Sequence, residues 1–127
     1  MKRDMETIRQ ILLVVEQADQ PVDDVPDCAP DAFAYHAALL IEAELAKGDV
    51  VEGPDLQPMA VSIFRLTWKG HEFLDSARND TVWHTAKEKM LKPGVSWTFS
   101  LLSEVLKALA KQQLAHAGLP FFESPEA

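Results

Sequence analysis

Cysteine is almost absent from this chain of 127 residues. Cys28 is the only one, so no disulfide can form within the chain, and a lone thiol is typical of proteins in a reducing compartment. Glycine is also scarce: the five glycines form no cluster, whereas loops that hold nucleotide phosphates need several close together. These shortages argue against a disulfide-stabilised domain and against a nucleotide-hydrolysing enzyme.

Long apolar runs are absent as well. No segment approaches the roughly 20 apolar residues that a membrane-spanning helix needs. The charged opening, Met1-Lys2-Arg3-Asp4, is not followed by the apolar segment of a signal peptide. We therefore expect a cytoplasmic protein with no membrane partner. Its hydrophobic content of 47% is enough for one ordinary globular core.

Positive charge is scarce in the middle of the chain. The formal net charge is −8, and residues 16–75 carry three Lys or Arg against thirteen Asp or Glu, a net charge of −10. Proteins bind DNA phosphates through Lys and Arg, which displace the counterions condensed on DNA. The acidic middle of the chain therefore has the wrong sign for general DNA binding.

Hydrophobic periodicity predicts five helices and one short β-hairpin. Ile8, Leu12 and Val15 recur at helical spacing in the first helix. The loop at 19–30 is rich in Asp and Pro, and Gly48 is the predicted end of the second helix. The predicted helices cover about 3–17, 31–47, 68–75, 81–91 and from 96 or 98 to 117, and the strands cover 50–52 and 59–66.

The order of these elements predicts the fold class. A helix, a two-stranded element and then a strand-to-helix junction at Thr67, a helix cap, are the order of a winged helix-turn-helix. We predict a mainly α protein with a small β-wing, built as one winged helix-turn-helix-like domain with additional C-terminal helices. The predicted parts are a domain over 1–118, made of a core at 1–75 and a helical extension at 80–118, and a tail at 119–127.

Three groups of residues carry a resemblance to a known family. They are Met1-Lys2-Arg3-Asp4-Met5 with Ile8-Arg9 and Ile11 to Leu13; Tyr35-His36 with Leu39 to Ala43 and Leu45; and Leu66-Thr67-Trp68 with Gly70 to Asp75, Arg78 and Asp80 to Trp83. Together they resemble the domain of unknown function 2513 family, small proteins of bacteria and prophages. The resemblance implies a winged-helix-like fold and no established activity. A glycine commonly stands where this chain has Glu44, which moves the expected helix end to Gly48.

Patterns for metal binding are incomplete. Residues 71–75, His-Glu-Phe-Leu-Asp, begin like the zinc-protease helix, but Asp75 stands where the second histidine ligand is needed. We expect His71 to be half-buried and hydrogen-bonded beneath the hairpin, with Glu72 and Asp75 in solvent. The four histidines fall on four different predicted helices: His36, His71, His84 and His116. We therefore predict no metal site.

Patterns for catalysis are equally weak. Cys28 lies in an acidic loop, which should raise its pKa and make it a poor nucleophile. The serines lack the Gly-rich turn that presents a catalytic serine. A small hydrolase or metal enzyme is therefore the least supported function. We predict a protein that is not an enzyme and that needs no cofactor.

The three tryptophans, Trp68, Trp83 and Trp97, each fall at or near a predicted helix start. We expect them to pack at the seams between helices. An exposed tryptophan would instead mark an interface, because aromatic anchors carry much of the binding energy of protein complexes.

Two functions remain, and the first is a protein-interaction or accessory module of bacterial or phage origin. The last helix has an apolar stripe broad enough to pack on two sides, which favours an unknown protein partner or a homodimer. The residues predicted to form this interface are Leu101, Val105 and Ala108.

The alternative is a DNA-binding transcriptional regulator with Asp31–Lys47 as its recognition helix. Its predicted contacts are Tyr35, His36, Lys47, Arg65 and Lys69. The helix offers no Arg for bidentate reading of guanine and carries three acids, so its charge disfavours DNA.

Overall fold

The computed structural model describes residues 1–91 and 98–116 and shows a mainly helical chain with one antiparallel hairpin. Its elements are α1 Met5–Gln17, α2 Pro30–Glu42, β1 Ala46–Glu52, β2 Pro58–Leu66, α3 Trp68–Ala77, α4 Asp80–Met90 and α5 Phe99–His116. The predicted combination of helices with a small β element is therefore confirmed. The chain divides into two compact units, Met1–Leu74 and Asp75–Ala127.

α1 is an amphipathic helix with a side-chain cap. The carboxylate of Asp4 accepts a hydrogen bond from the Glu6 N–H at 2.9 Å, which satisfies one of the free N–H groups at the helix start. The apolar stripe is buried against α2 and β2 and comprises Ile8, Ile11, Leu12 and Val15. Burying each such side chain contributes about 1.5–3 kcal/mol. The spacing that predicts α1 thus also determines its buried face.

The loop between α1 and α2 is tied to the hairpin at Val22. Val22 and Ile63 exchange both of their backbone hydrogen bonds, each at 2.9 Å. The side chains of Val22 and Val25 are buried, so the loop contributes to the core and is more than a solvated connector. A tight helix-turn-helix joins its helices by three or four residues, whereas residues 18–29 separate α1 from α2 here.

α2 ends at Glu42, earlier than predicted. Glu44 adopts a left-handed backbone conformation with φ 65°, and the Leu45 N–H donates to the Leu40 carbonyl at 2.9 Å. This position after a helix usually holds glycine, because other residues adopt the left-handed conformation at a cost of about 1–2 kcal/mol. The prediction that the helix runs to Lys47 and stops at Gly48 was wrong, because the helix ends at Glu42 and the chain turns at the left-handed Glu44. The start also differs: Ala29 is the N-cap and Pro30 the first helical residue, in place of Asp31 as the cap.

β1 is longer than predicted because α2 stops early. Ala46 pairs with Leu66 and Val51 with Ala60, and the register is interrupted after Lys47 and after Val51. One face of the hairpin packs against α1 and α2 and buries Val61, Ile63 and Leu66. Gly48 lies inside β1, where a Cβ would collide with the Ser62 carbonyl oxygen. Its role is to allow close strand pairing and not to end a helix.

In the second unit, α4 packs against α5. Asn79 caps α4, its Oδ1 accepting from the Val82 N–H at 2.9 Å, and the Thr98 hydroxyl accepts from the Leu101 N–H at 3.0 Å at the start of α5. The buried residues of the two helices are Val82, Trp83, Ala86, Met90, Leu102, Leu106 and Leu109. The predicted helix ends at Pro93-Gly94 and Gly118-Pro120 lie outside the described residues.

The left-handed conformation of Glu44 leads to a stability prediction. We expect Glu44→Gly to raise the free energy of unfolding by about 0.5–1 kcal/mol, because the backbone strain is relieved but glycine gains freedom in the unfolded chain. Urea denaturation followed by circular dichroism measures this change. Glu44→Ala is the control, because it removes the carboxylate and keeps the Cβ. An equal gain from Glu44→Ala would show that charge, not backbone strain, is responsible.

Candidate functional site

The start of α3 is fastened to the end of α2. The Thr67 N–H donates to the Leu45 carbonyl at 3.0 Å, and the Thr67 hydroxyl donates to the Glu44 carbonyl at 2.7 Å. The Lys69 ammonium donates to the Ala43 carbonyl at 3.3 Å. The last carbonyls of a helix lack partners within the helix and attract positive charge. Lys69, predicted to contact DNA, therefore stabilises the end of α2.

His36 is held inside the first unit, with 3% of its surface exposed. Its Nε2 accepts from the Asp4 N–H at 2.9 Å, and its Nδ1 lies 2.7 Å from the Ala32 carbonyl oxygen. A carbonyl oxygen only accepts, so Nδ1 carries the proton and Nε2 the lone pair. Tyr35 is half-buried and touches the His36 ring edge-on, with the ring centroids 5.2 Å apart. His36 thus links α2 to the start of α1 and has no ring nitrogen left for a DNA base.

Lys47 and Arg65 lie at the base of the hairpin and not on a helix. They are cross-strand partners, both exposed, and Arg65 Nη1 donates to the Leu66 carbonyl at 3.2 Å. Because α2 ends at Glu42, the helix that was expected to read DNA contains no Lys or Arg at all. The five predicted DNA contacts therefore lie in different environments. His36 is buried, Tyr35 is half-buried and Lys69 bonds to the end of α2. Lys47 and Arg65 form the exposed pair on the hairpin.

The outer part of the hairpin has a different composition. Residues 48–64 contain no Lys or Arg and three acids, Asp49, Glu52 and Asp55. Large apolar side chains are exposed among them. We call these the hairpin surface: Val51, Leu56, Met59 and Phe64. Exposed apolar groups rimmed by polar residues are typical of protein-binding sites.

Hydrogen bonds hold the tip of the hairpin in one conformation. The Gly53 N–H donates to the Gln57 carbonyl and the Leu56 N–H to the Gly53 carbonyl, both at 2.9 Å. The Gln57 N–H donates to Asp55 Oδ1 at 3.1 Å. Within this loop Leu56 has φ 65°, and its side chain is in solvent, with 73% of the residue surface exposed. The tip therefore presents a leucine in a conformation that leucine rarely adopts.

The outer face of α5 is the interface predicted from the sequence. Leu101, Val105 and Ala108 follow one another at i, i+4 and i+7, so they share one side of the helix. Leu101 and Ala108 are exposed and Val105 is half-buried, while Leu102 and Leu106 on the neighbouring side are fully buried. The structure thus leaves this apolar stripe accessible within the second unit.

Comparison with known proteins identifies the family. The family model described as "Hypothetical protein (DUF2513)" matches residues 2–96. The chain belongs to this family. The resemblance to the DUF2513 family is therefore confirmed. An "Uncharacterized protein" of Haemophilus influenzae is 32% identical over 123 residues, covering 91% of this chain and 100% of that relative. No solved structure is significantly similar to the chain.

The tryptophans of this DUF2513 chain fall into different environments. Trp83 is buried on α4, as predicted. Trp68 begins α3 and has 82% of its surface exposed, so the prediction that it packs at a seam was wrong. The reason is that Thr67 and Gly70, not Trp68, make the contacts that join α3 to the end of α2. Trp97 lies outside the described residues.

The side chains after Trp68 are on the surface as well. His71 is exposed and not half-buried beneath the hairpin, which corrects the prediction. Glu72 and Asp75 are exposed as expected, and Asp75 forms an ion pair of 2.8 Å with Arg78. Within residues 1–91 and 98–116, no three His, Cys, Asp or Glu side chains are grouped so that they could hold a metal ion. In the same ranges, no helix is long and apolar enough to cross a membrane.

Cys28 is half-buried beside the start of α2. Burial raises the pKa of its thiol, and the negative charge of Asp31 raises it further. Because the thiolate is the reactive form, both effects suppress nucleophilic attack at neutral pH. The expected direction of this pKa shift is thus found, although burial and not the acidic loop is its larger cause.

The cause of this shift can be tested by alkylation. We expect Asp31→Asn to lower the pKa of Cys28, because a negative charge that disfavours the thiolate is removed. The rate of iodoacetamide labelling at pH 8 should then rise, and its pH profile should move to lower pH. Asp24→Asn is the control, since it removes one charge from the loop that contains Cys28. An equal shift from Asp24→Asn would contradict the assignment to Asp31.

Proposed function

We propose that this chain is a non-enzymatic, winged-helix-like protein-interaction module of the bacterial cytoplasm that contacts its partner through the hairpin. The observation that supports this most is the composition of residues 48–64, which combine exposed apolar side chains with three acids and no base. Apolar side chains gain free energy when a partner removes them from water. A hairpin that binds DNA needs basic side chains near the phosphates.

The winged-helix-like assignment is supported by the order of elements in the first unit. A helix leads directly into a hairpin, and Val22 adds a backbone bridge beside β2 at Ile63. The long α1–α2 connection departs from a compact helix-turn-helix. The departure concerns the spacing of α1 and α2, while the hairpin keeps its place between α2 and α3.

The alternative function is a DNA-binding regulator that uses α2. The features that oppose it are the absence of Lys and Arg from α2 and the engagement of both His36 ring nitrogens. The exposed pair Lys47 and Arg65 is the feature that favours it. Two adjacent basic residues contact few phosphates, so any binding through them should be weak and sensitive to salt.

Fluorescence anisotropy with labelled mixed-sequence duplex DNA distinguishes the two functions. We expect no saturable binding at micromolar protein, even at low salt, because the surrounding acids repel phosphates. The double variant Lys47→Glu with Arg65→Glu should give the same flat response. Tight wild-type binding that weakens steeply with salt and is lost in the double variant would instead favour the DNA-binding regulator over the protein-interaction module.

The outer face of α5 favours a second contact, with another copy of the chain. Leu101, Val105 and Ala108 form its apolar stripe, and helical spacing puts Glu104 and Lys111 together along one flank. An antiparallel copy would bring Glu104 of each helix towards Lys111 of the other. Such opposite charges beside an apolar stripe are the usual arrangement of paired amphipathic helices.

Sedimentation velocity tests this second contact. We expect Leu101→Lys to raise the dimer dissociation constant at least about tenfold, because a charge is introduced into the stripe. Leu114→Lys is a matched control, since Leu114 is as exposed as Leu101, at 38% against 39%, and lies on another side of α5. A wild type that stays monomeric at high concentration would rule out the dimer.

A further inference from the structure

Leu56 combines two features that both oppose stability. Its backbone is left-handed, with φ 65°, which is unfavourable for a residue with a Cβ. Its side chain is largely in water and buries little apolar surface in return. Among the described residues, the other non-glycine residues with positive φ are Asp27 and Glu44. Asp adopts this conformation more readily than most residues, and Glu44 ends α2, so Leu56 differs from both.

The loop itself does not require a leucine at this position. The Leu56 contribution to the tip is its backbone N–H, which donates to the Gly53 carbonyl, and glycine or asparagine would supply the same group. The other tip contacts come from Gln57 and from Asp55. Strain held at an exposed position, without a structural benefit, is characteristic of residues that bind a partner.

The surroundings of Leu56 indicate the chemistry of that partner. Val51, Met59 and Phe64 are also exposed on the hairpin. The acids Asp49, Glu52 and Asp55 belong to the same segment, which has no basic residue from 48 to 64. A complementary surface must therefore offer apolar side chains together with positive charge. The same segment, 48–64, of a second copy would bring acids against acids and is disfavoured.

We propose that Leu56 is an anchor for binding, and that the hairpin surface binds a basic segment of a partner protein that carries large aliphatic or aromatic side chains. This inference rests on the proposed function of the hairpin and adds the kind of segment that it recognises. Leu56 enters an apolar site on the partner, while the three acids pair with its Lys or Arg side chains. Added salt should weaken this complex moderately, because exposed ion pairs are screened.

Opposite effects on stability and binding distinguish an anchor from a structural residue. Leu56→Asn relieves the backbone strain, so we expect its Tm to rise by about 2–4 °C. The same change removes the apolar side chain and should weaken partner binding at least about tenfold. Glu44→Gly is the matched control, because it relieves the same type of strain away from the hairpin surface and should raise Tm while leaving binding unchanged.

The probe is a library of random 12-residue peptides displayed on phage, selected on the full chain and counter-selected on the Leu56→Asn variant. We expect enrichment of peptides with net positive charge and at least two large apolar residues. A fluorescein-labelled synthetic copy of the most enriched peptide should bind the wild type and Glu44→Gly equally and bind Leu56→Asn at least about tenfold more weakly. Replacing its Lys and Arg with Glu should abolish binding.

Three results would contradict the proposal that Leu56 is an anchor. They also show whether the broader proposal, a hairpin that binds protein, still holds. Peptides that bind Leu56→Asn as well as the wild type, but are lost on Phe64→Ser, would remove the Leu56 anchor and leave the hairpin as a protein-binding site. If no selected peptide binds Leu56→Asn or Phe64→Ser more weakly than the wild type, and the wild type binds DNA in the anisotropy assay, both the Leu56 anchor and the proposed protein-binding hairpin are wrong. A wild-type dimer that Leu56→Asn converts to monomer would show that the hairpin binds a second copy.

Discussion

Three backbone carbonyls at the end of α2 organise the first unit. The carbonyls of Ala43, Glu44 and Leu45 accept hydrogen bonds from Thr67 and Lys69 at the start of α3. Gly70 makes this approach possible, because a Cβ there would collide with the Leu45 carbonyl oxygen. Since β1 begins directly after these carbonyls and β2 ends directly before Thr67, the same contacts fix both ends of the hairpin.

This arrangement leaves the outer part of the hairpin exposed. Its base is held at the α2–α3 junction, and its inner face supplies Val61, Ile63 and Leu66 to the core. The tip lies beyond these contacts and is stabilised by hydrogen bonds within its own loop. Under the proposed function, a hairpin held at its base would lose little conformational freedom when its apolar, acidic end binds a protein partner.

Local signals in the sequence were sufficient for much of the secondary structure. Thr67 was recognisable as a helix cap because a capping side chain acts on N–H groups two or three residues away. The stripe of Ile8, Leu12 and Val15 was recognisable because helical spacing alone brings these residues to one face. The candidate site was less visible: Leu56 follows Asp55 in what reads as an ordinary polar turn, and the only available signal was a large apolar residue at a turn position that favours glycine or asparagine.

The sequence by itself determined the number and order of the elements, the acidic middle of the chain and the family, because capping, helical spacing and charge are read over a few neighbouring residues. Only the tertiary structure decided that α2 ends at Glu42, that His36 faces inward and that Trp68 faces out. These outcomes depend on partners far apart in the chain: Thr67 for Glu44, and Asp4 for His36. Their hydrogen bonds form only when the helices and the hairpin have packed together. The secondary-structure propensities of neighbouring residues therefore do not predict them.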